Sequence, residues 1–200
     1  VIGMVGLIND LTKICTQNWV SEGDFIWLLG VPLERSLELD PRLSLGASSY
    51  LERIHGLLLG RPPEIDLGLE LKVQQFLREC IQKQLVCSAH DLSDGGLAVA
   101  IGECCISSGL GAQIKLNSSD SRLDRLLFAE GGARVLVSIK SSDSSDFQQL
   151  LIKKEIPSEH IGYVTLKKEL LIQQGNIKVI NTSLDKLNKN YLEAISRRID

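Results

Sequence analysis

The chain has 200 residues, of which 44% are apolar and 4% aromatic, and its formal net charge is −3 at pH 7. This length suits one domain, or one domain with a fragment of another, and the apolar content is sufficient for a core. The acidic balance and the scarcity of aromatic side chains argue against nucleic-acid binding, and the longest apolar stretches are too short to span a membrane.

The chain begins inside an apolar segment. Residues Val1 to Ile8 have the composition of a strand, and no initiator methionine precedes them. Because native N-termini usually fray, a strand at the first residue predicts that the chain is the C-terminal piece of a longer protein. No signal peptide is predicted, since a basic leader segment and a cleavage site are both missing.

The next elements are a strand and two helices. Phe25–Leu29 is a short apolar run that ends at a glycine, which predicts a strand. Ser48–Leu59 predicts a helix, because the Gly-Arg-Pro-Pro segment that follows would stop it. Asp66 is the expected N-cap of a second helix, whose apolar residues recur with a 3.6-residue period from Leu69 to Ile81.

The most informative segment is His90-Asp91-Leu92-Ser93-Asp94-Gly95-Gly96. Leu85–Ala89 predicts a strand before it, and the small residues of Leu97–Ile106 predict a helix after it. A helix N-terminus presents free N–H groups and a partial positive charge that suit a phosphate, whereas carboxylates suit a phosphate only with Mg²⁺ between them. The alternative is an ordinary helix that Asp94 caps and at which nothing binds.

The second half of the chain mixes further helices and strands. Helices are expected at Leu123–Glu130, Phe147–Lys154 and, with Ser183 as N-cap, Leu184–Arg198; strands are expected at Ala112–Leu116, Arg134–Ile139, His160–Leu166, Leu170–Gln173 and Ile177–Ile180. This mixture of hairpins and crossovers predicts an α+β fold, with helices layered on a mixed, mostly antiparallel sheet.

The five cysteines are predicted to be reduced, buried thiols. Their number is odd and no pair has the C-x-x-C spacing, which indicates a reducing, cytoplasmic location and no disulfide framework. Cys87 and His90 form an isolated C-x-x-H pair. A zinc site needs two more ligands at comparable spacing, and neither His55 nor His160 supplies one, so no zinc site is predicted.

The central segment and four others resemble a known family. Ser88–Ala100 resembles the signature of the C-terminal domain of the synthetase subunits of phosphoribosylformylglycinamidine synthases, in the aminoimidazole ribonucleotide (AIR) synthetase-like superfamily. Four further segments agree in order: Val1–Ile8 with the strand that ends the preceding domain, Gly23–Gly30 with a G-D-x-(I/L/V)-x-L-L-G strand, Leu45–Leu51 with an L-G-G-S-E-Y-L turn, and Leu127–Val135 with an L-F-S-E-x-x-x-R-V segment. The resemblance covers essentially the whole chain, and related enzymes of the superfamily carry other residues in place of H-D-L-S-D-G-G.

The resemblance implies an ATP-dependent carbon–nitrogen ligase of purine biosynthesis. Enzymes of this family convert formylglycinamide ribonucleotide into formylglycinamidine ribonucleotide. ATP phosphorylates the amide oxygen, and ammonia then attacks the iminophosphate. The implied cofactors are ATP and Mg²⁺, and the implied partners are a glutaminase subunit that supplies ammonia and a small accessory subunit. Such catalysis depends on positioning phosphates by metal and backbone donors, as residues 90–96 also suggest.

The resemblance also implies a place for each part of the chain. Residues 1–20 would be the trailing strand and linker of a preceding N-terminal-type domain, and residues 21–200 the AIR synthetase-like C-terminal domain. The family's main ATP and Mg²⁺ ligands lie in the N-terminal remainder of the enzyme, so the isolated chain is expected to be inactive and no catalytic residue is assigned. The candidates for a substrate or phosphate cleft are His90, Asp91, Ser93, Asp94, Gly95 and Gly96. Asp91 is the candidate metal ligand, while His90 is either a ligand contact or a hydrogen-bonded structural histidine.

Two segments depart from the family pattern. The first-half C-terminal domain of the family has E-S-Q where this chain has E-G-G at residues 130–132, so the amide and hydroxyl used on substrate are missing. Glu130 and Arg134 are instead expected to form a local ion pair at the start of a strand. In the turn before the first helix, Ala47 replaces the second glycine and Ser49 the glutamate, so no role is assigned to them.

Three hypotheses about function follow. The first is a domain of the ATP-dependent ligase just described. The second is a structural module that supports the interface between the two halves of that enzyme and contributes little chemistry. The third is a domain of another ATP-using enzyme of the superfamily, such as a small-molecule kinase. A G-N-x-S-type segment before Val1 would favour the ligase.

Overall fold

The computed structural model of the chain describes residues 3–33, 40–117 and 122–194. Within them the chain forms seven strands, β1 (Phe25–Leu29), β2 (Ser88–Asp91), β3 (Gly111–Leu116), β4 (Val135–Ile139), β5 (Ser158–Thr165), β6 (Glu169–Gln174) and β7 (Ile177–Ser183). The α-helices of the same ranges are α1 (Ser49–His55), α2 (Leu67–Gln82), α3 (Gly96–Ser108), α4 (Leu123–Phe128), α5 (Ser144–Lys153) and α6 (Leu184–Leu192). None of these helices has both the length and the apolar composition that crossing a membrane requires.

The seven strands join one sheet in the order β2-β4-β1-β5-β3-β6-β7. Neighbouring strands are antiparallel except β3 and β6, which run parallel. The prediction of an α+β fold with helices on a mixed, mostly antiparallel sheet is therefore confirmed. The spatial order differs from the order along the chain, and it places β2, which carries the start of the central motif, at one edge.

Strand β1 lies in the middle of the sheet, between β4 and β5. Its sequence, Phe-Ile-Trp-Leu-Leu, is apolar at every position, as expected of a strand covered on both faces. Ile26 and Leu28 belong to the core on one face of the sheet, and Trp27 and Leu29 to the core on the other. One short strand thus contributes to both layers of the core.

Helices cover both faces of the sheet. On one face α3 is apolar almost throughout, because it is buried around most of its circumference. On the other face α2 and α5 bury only one side each. Phe147 of α5 lies at the centre of this second layer, with its ring centroid 5.7 Å from that of Trp27 and 5.8 Å from that of Phe76. The two layers pack on the two faces of the sheet that carries β2.

The prediction of a strand at Val1–Ile8 is wrong for the residues that the structure describes. Gly3 to Ile8 have no regular secondary structure, and the side chains of Met4, Val5 and Leu7 are almost fully exposed. A strand needs a hydrogen-bonded neighbour, and none of the described strands pairs with this segment. Residues 1 and 2 lie outside the described ranges.

Three predicted helices end two or more residues earlier than expected, among them α4, which stops at Phe128 rather than Glu130. Helix α1 stops at His55 rather than Leu59, because Gly56 adopts a left-handed conformation with a φ of 66° and closes the helix. Helix α6 follows Ser183, whose side chain caps it as predicted, and it ends at Leu192. The last part of the predicted helix, from residue 195 onward, lies outside the described residues.

All five cysteines are free thiols, as predicted, but Cys15 and Cys87 are only half-buried, so the prediction of buried thiols is confirmed for three of the five. Cys80, Cys104 and Cys105 are buried in the core. Burial raises the pKa of the Cys80 thiol to about 12 and that of the Cys105 thiol to about 11, because the apolar surroundings disfavour a thiolate. These cysteines therefore act as small apolar side chains of the core.

Ala47 adopts a left-handed conformation in the turn before α1, with a φ of 58°. This region costs a residue with a Cβ about 1 kcal/mol or more relative to glycine, which is the residue that the family pattern has here. We expect Ala47→Gly to raise the free energy of unfolding by up to about 1 kcal/mol, after allowance for the greater entropy of glycine in the unfolded chain. Urea denaturation measures the change.

The matched control for residue 47 is Ala98→Gly. Ala98 lies inside helix α3, where glycine should lower the free energy of unfolding by about 1 kcal/mol. Both substitutions replace alanine by glycine, but they are expected to change the free energy of unfolding in opposite directions. A loss of stability at both positions would contradict the interpretation that the backbone at Ala47 is strained.

Candidate functional site

The central motif begins in an edge strand and ends in a helix. His90 and Asp91 are the last residues of β2, where they pair with Leu136 and Val135 of β4, so the polar turn is shorter than the sequence predicts. Leu92 follows, with a buried side chain and an N–H that donates to the carbonyl of Arg134 at 3.0 Å. The motif thus forms the junction of β2 with α3.

Two glycines make the sharp turn into α3. Gly95 and Gly96 have φ values of 81° and 63°, in the left-handed region. A Cβ at Gly96 would lie 2.5 Å from the carbonyl oxygen of Ala129 and 2.9 Å from the carbonyl carbon of Phe128. The turn therefore needs glycine for its conformation and also for the close approach of the end of α4 and the residue after it.

The prediction that Asp94 caps α3 is wrong. The N-cap residue is Gly95, and no side chain forms the cap hydrogen bond of this helix. An Asp side chain caps from the position directly before the helix, in an extended conformation, whereas the left-handed Gly95 stands between Asp94 and the first turn. Ser93 and Asp94 are both exposed.

The carboxylate of Glu130 binds the N-terminal ends of two helices. Its Oε1 accepts hydrogen bonds from the N–H of Gly95, before α3, at 2.7 Å and from the N–H of Ser49, in α1, at 2.8 Å. A negative group is favoured there by the helix dipoles and the free N–H groups. The Gly95 N–H, which the sequence predicted to be free for a phosphate, is therefore hydrogen-bonded to the carboxylate of Glu130.

Arg134 does not form the predicted ion pair with Glu130. Its Nε donates to the carbonyl of Gly131 at 2.7 Å and its Nη2 to the carbonyl of Ala129 at 2.5 Å. Within the described residues its Nη1 has no hydrogen-bond partner, and burial lowers the pKa of the guanidinium to about 10. The prediction was wrong because Glu130 turns towards the two helices, while Arg134 shapes the loop at residues 129–134.

His90 is hydrogen-bonded to a residue that the sequence did not single out. Its Nε2 lies 2.8 Å from Oε2 of Glu103, in the second half of α3, and its Nδ1 lies 3.7 Å from Oδ1 of Asp91. The exposed fractions of the three side chains are 13% for His90, 28% for Glu103 and 78% for Asp91. A signal for Glu103 was available, because it is the one charged residue of α3.

A groove of about 540 Å³ lies beside the end of β2. Helix α2 forms one side with Val73, Gln74 and Leu77, and the loop at residues 130–135 forms the other. Of the six predicted site residues, His90 and Asp91 line this groove, whereas Ser93, Asp94, Gly95 and Gly96 do not. The structure thus divides the motif into a strand end that faces a groove and a turn that builds the helix junction.

The described residues supply few metal ligands. They contain no group of three or more His, Cys, Asp and Glu side chains placed to hold a metal ion. Mg²⁺ is commonly held by one or two carboxylates together with the phosphates of its substrate. The exposed Asp91 has the oxygen donors and the access for such a shared role, whereas Glu103 and Glu130 are already hydrogen-bonded.

The seven-stranded sheet, its helical layers and the H-D-L-S-D-G-G junction define the class of protein. The sequence profile of the family described as AIR synthase related protein, C-terminal domain, matches residues 21–173. The chain belongs to this family. The match begins just before β1 and extends into β6, so it includes both sides of the groove.

Two curated relatives of the chain are PurL subunits. It is 53% identical over 205 residues to the phosphoribosylformylglycinamidine synthase subunit PurL of Prochlorococcus marinus strain MIT 9303, an alignment that covers 100% of this chain and 26% of the relative. It is 41% identical over 213 residues to PurL of Nostoc punctiforme, and this alignment covers 100% of this chain and 25% of the relative. The chain therefore spans about a quarter of the length of these curated relatives.

Solved structures of Thermotoga maritima PurL share the fold. The complex with ATP superposes with a TM-score of 0.67 at 17% identity and covers 89% of this chain and 28% of that one. The complex with FGAR superposes with a TM-score of 0.67 at 19% identity, and it covers 88% of this chain and 29% of that one. At this level of identity the likeness concerns the fold alone.

Proposed function

We propose that the chain is the C-terminal domain of an ATP-dependent synthase that converts formylglycinamide ribonucleotide into formylglycinamidine ribonucleotide. The observation that carries the proposal is the 53% identity to a PurL subunit along the whole chain. The groove beside His90 and Asp91 supports it, since the recognisable motif of the chain lies against a space large enough for part of a ligand. In the proposed reaction the amide oxygen receives a phosphoryl group, and ammonia then replaces phosphate at that carbon.

The chain's own residues would bind and position rather than carry out the phosphoryl transfer. Asp91 would hold Mg²⁺, which supplies positive charge next to phosphate oxygens when bound. His90 would contact the ligand from the same edge of the sheet, and Glu130 and Arg134 would keep the loop at residues 130–135 in place. The main ATP and Mg²⁺ ligands are proposed to lie in the remainder of the enzyme.

Residues 1–20 are proposed to belong with a preceding domain, and residues 21–200 to form the C-terminal domain. The nearly complete exposure of Met4, Val5 and Leu7 supports this division, because large apolar side chains in sequence are rarely left in water. The proposed partners are that remainder, a glutaminase subunit that delivers ammonia and a small accessory subunit. The solved structure of PurLQS from Thermotoga maritima shares the fold of this chain. The five free thiols support a cytoplasmic location.

A structural role within the same enzyme is the second candidate. It is favoured by the contacts of Glu130, which occupies the amide of Gly95 and ties α1 to α3. In that case the motif would stabilise an interface without touching a ligand.

Substitution of Asp91 separates the two candidates. In the full-length enzyme that contains this chain, Asp91→Ala should lower the rate of amidine formation at least tenfold, through loss of a group that positions phosphate. The control is Asp146→Ala, an exposed carboxylate on α5. Turnover is measured with formylglycinamide ribonucleotide, ATP, Mg²⁺ and ammonia. Unchanged turnover in Asp91→Ala would favour the structural role, and synthase activity of the 200-residue chain alone would contradict the upstream placement of the main ligands.

A further inference from the structure

Large apolar side chains are exposed in the segment between α1 and α2 and in the first turns of α2. Their exposed fractions range from 43% for Leu57 to 76% for Leu67. A monomeric domain rarely leaves so many of them in water within one short stretch, and such a surface is typical of a contact with another protein part. We call this surface the apolar strip, and it consists of Leu57, Leu58, Leu59, Ile65, Leu67 and Leu71.

The first half of the apolar strip is held in its exposed position by backbone contacts. The N–H of Ala47 donates to the carbonyl of Leu59 at 2.9 Å. A Cβ at Gly60 would lie 2.8 Å from the Cα of Gly46, so the two backbones are in direct contact there. The segment therefore cannot turn its leucines inward without breaking the turn before α1.

The second half of the apolar strip lies on the side of α2 that faces away from the sheet. Leu67 and Leu71 are one helical turn apart, and the buried residues of α2, which are Val73, Phe76 and Cys80, lie on the opposite side of the helix. Because a rotation that buried the two leucines would expose these three residues, the apolar strip can be covered only from outside the described residues.

The N-terminal segment shows where a preceding part of the protein would be attached. Trp19 is buried and its Nε1 donates to Sγ of Cys105 at 3.5 Å, and the side chain of Gln84, just after α2, donates to the carbonyl of Thr12 at 3.3 Å. Residues 3–11 can extend over about 30 Å. Leu71 lies about 17 Å along the axis of α2 from its last residue, so this segment is long enough to reach the apolar strip.

We infer that the part of the enzyme that precedes this chain docks on the apolar strip. The inference rests on the proposed function, because this chain covers only 26% of its PurL relative and the rest of such a protein is available to cover the surface. Met4, Val5 and Leu7 of the connecting segment are also apolar and exposed, unlike the glycine, serine and charged residues of a free linker. A covalent connection gives the docking part an effective concentration on the order of millimolar, which a separate subunit or a second copy lacks.

Hydrogen–deuterium exchange of residues 57–65 tests the inference. The N–H groups of Leu58, Leu59 and Arg61 donate no hydrogen bond within the described residues, so they should exchange rapidly in the 200-residue chain. In the full-length enzyme, measured without any other subunit, their exchange should be at least tenfold slower. Equal exchange in both proteins would overturn the inference. So would protection that requires an added glutaminase subunit, or protection that rises with the concentration of the 200-residue chain, since these results indicate a separate partner and a second copy.

A double substitution, Leu58→Glu with Leu71→Glu, separates docking from the stability of the domain. Both side chains are exposed, so the 200-residue variant should unfold at the same urea concentration as the parent chain. In the full-length enzyme docking would bury two unpaired charges, so residues 57–65 should lose their protection. The control is Leu166→Glu, which replaces a similarly exposed leucine after β5 and should keep the protection.

Retained protection in the folded double variant would overturn the inference. A full-length parent enzyme without synthase activity would instead overturn the proposed function. The exchange measurement would still report on the apolar strip in that case, because it does not depend on turnover.

Discussion

Gly96→Ala is expected to lower the free energy of unfolding by about 3 kcal/mol or more, through positive-φ strain and a steric clash together. The added Cβ would lie 2.5 Å from the carbonyl oxygen of Ala129, 2.9 Å from the carbonyl carbon of Phe128 and 3.0 Å from the carbonyl oxygen of Leu127. All three are backbone atoms, so no flexible side chain can move aside. The φ of 63° adds its own cost to any residue with a Cβ.

Gly109→Ala is the matched control for this substitution. Gly109 ends the same helix with a φ of 69°, and a Cβ there would meet no atom within 4 Å. Its cost should be conformational alone, about 1 kcal/mol. Chemical denaturation of both variants, monitored by circular dichroism, gives the difference. Equal losses at the two ends of α3 would contradict the close approach at Gly96.

Glu130→Ala is expected to lower the free energy of unfolding by about 2 to 4 kcal/mol, because it leaves two backbone donors without their acceptor. The N–H of Gly95 is in a buried residue, so water replaces the carboxylate poorly there. The N–H of Ser49 loses the same oxygen, which loosens α1 beside α4, where Tyr50 stacks on Phe128 at 4.6 Å. The effect should therefore extend to both helices.

Glu130→Gln separates the role of the oxygen from that of the charge. The amide oxygen can still accept from both N–H groups, so the loss should be about 1 kcal/mol, which reflects weaker neutral hydrogen bonds and the lost interaction with the helix dipoles. Thermal and urea unfolding of the chain measure both variants, with the exposed Glu64→Ala as control. If Gln and Ala proved equally destabilising, the double acceptor role of Glu130 would be ruled out.

The parts of the fold that depend on local pattern could be predicted from the sequence. Strand β1 has the predicted bounds, because five apolar residues before a glycine specify a buried strand without reference to the rest of the chain. The caps at Asp66 and Ser183 were also predicted, since an N-cap acts on N–H groups only three residues away. The fold class followed from the alternation of such segments.

The parts that depend on distant neighbours could not be predicted. The sequence suggested a partner for Glu130 four residues away, but the structure supplies partners 35 and 81 residues away. Asp94 fits the composition of a cap, yet the two left-handed glycines after it contact the end of α4 and Glu130, more than thirty residues further along. The single parallel pair, β3 with β6, likewise depends on which strand edges remain open once the others have paired.

The position of the candidate site was predicted from the sequence, but the roles of several of its residues were not. The motif was located by sequence, and His90 and Asp91 do line a groove. The N-terminal end of α3 was predicted to bind a phosphate, but the carboxylate of Glu130 accepts the hydrogen bond from Gly95 there. Glu103 could have been noticed as the single charge in an apolar helix, but the pairing with His90 required the register of β2 against α3.

The central position of β1 has a consequence for the order in which the protein can be built. During synthesis β1 is made first of the seven strands, yet its two neighbours are β4 and β5, more than a hundred residues later. Until residue 135 has left the ribosome, both edges of this apolar strand lack their partners, and closing so long a loop is slow. A nascent chain that stalls before that point therefore exposes an apolar strand with two unpaired edges, a state that favours aggregation.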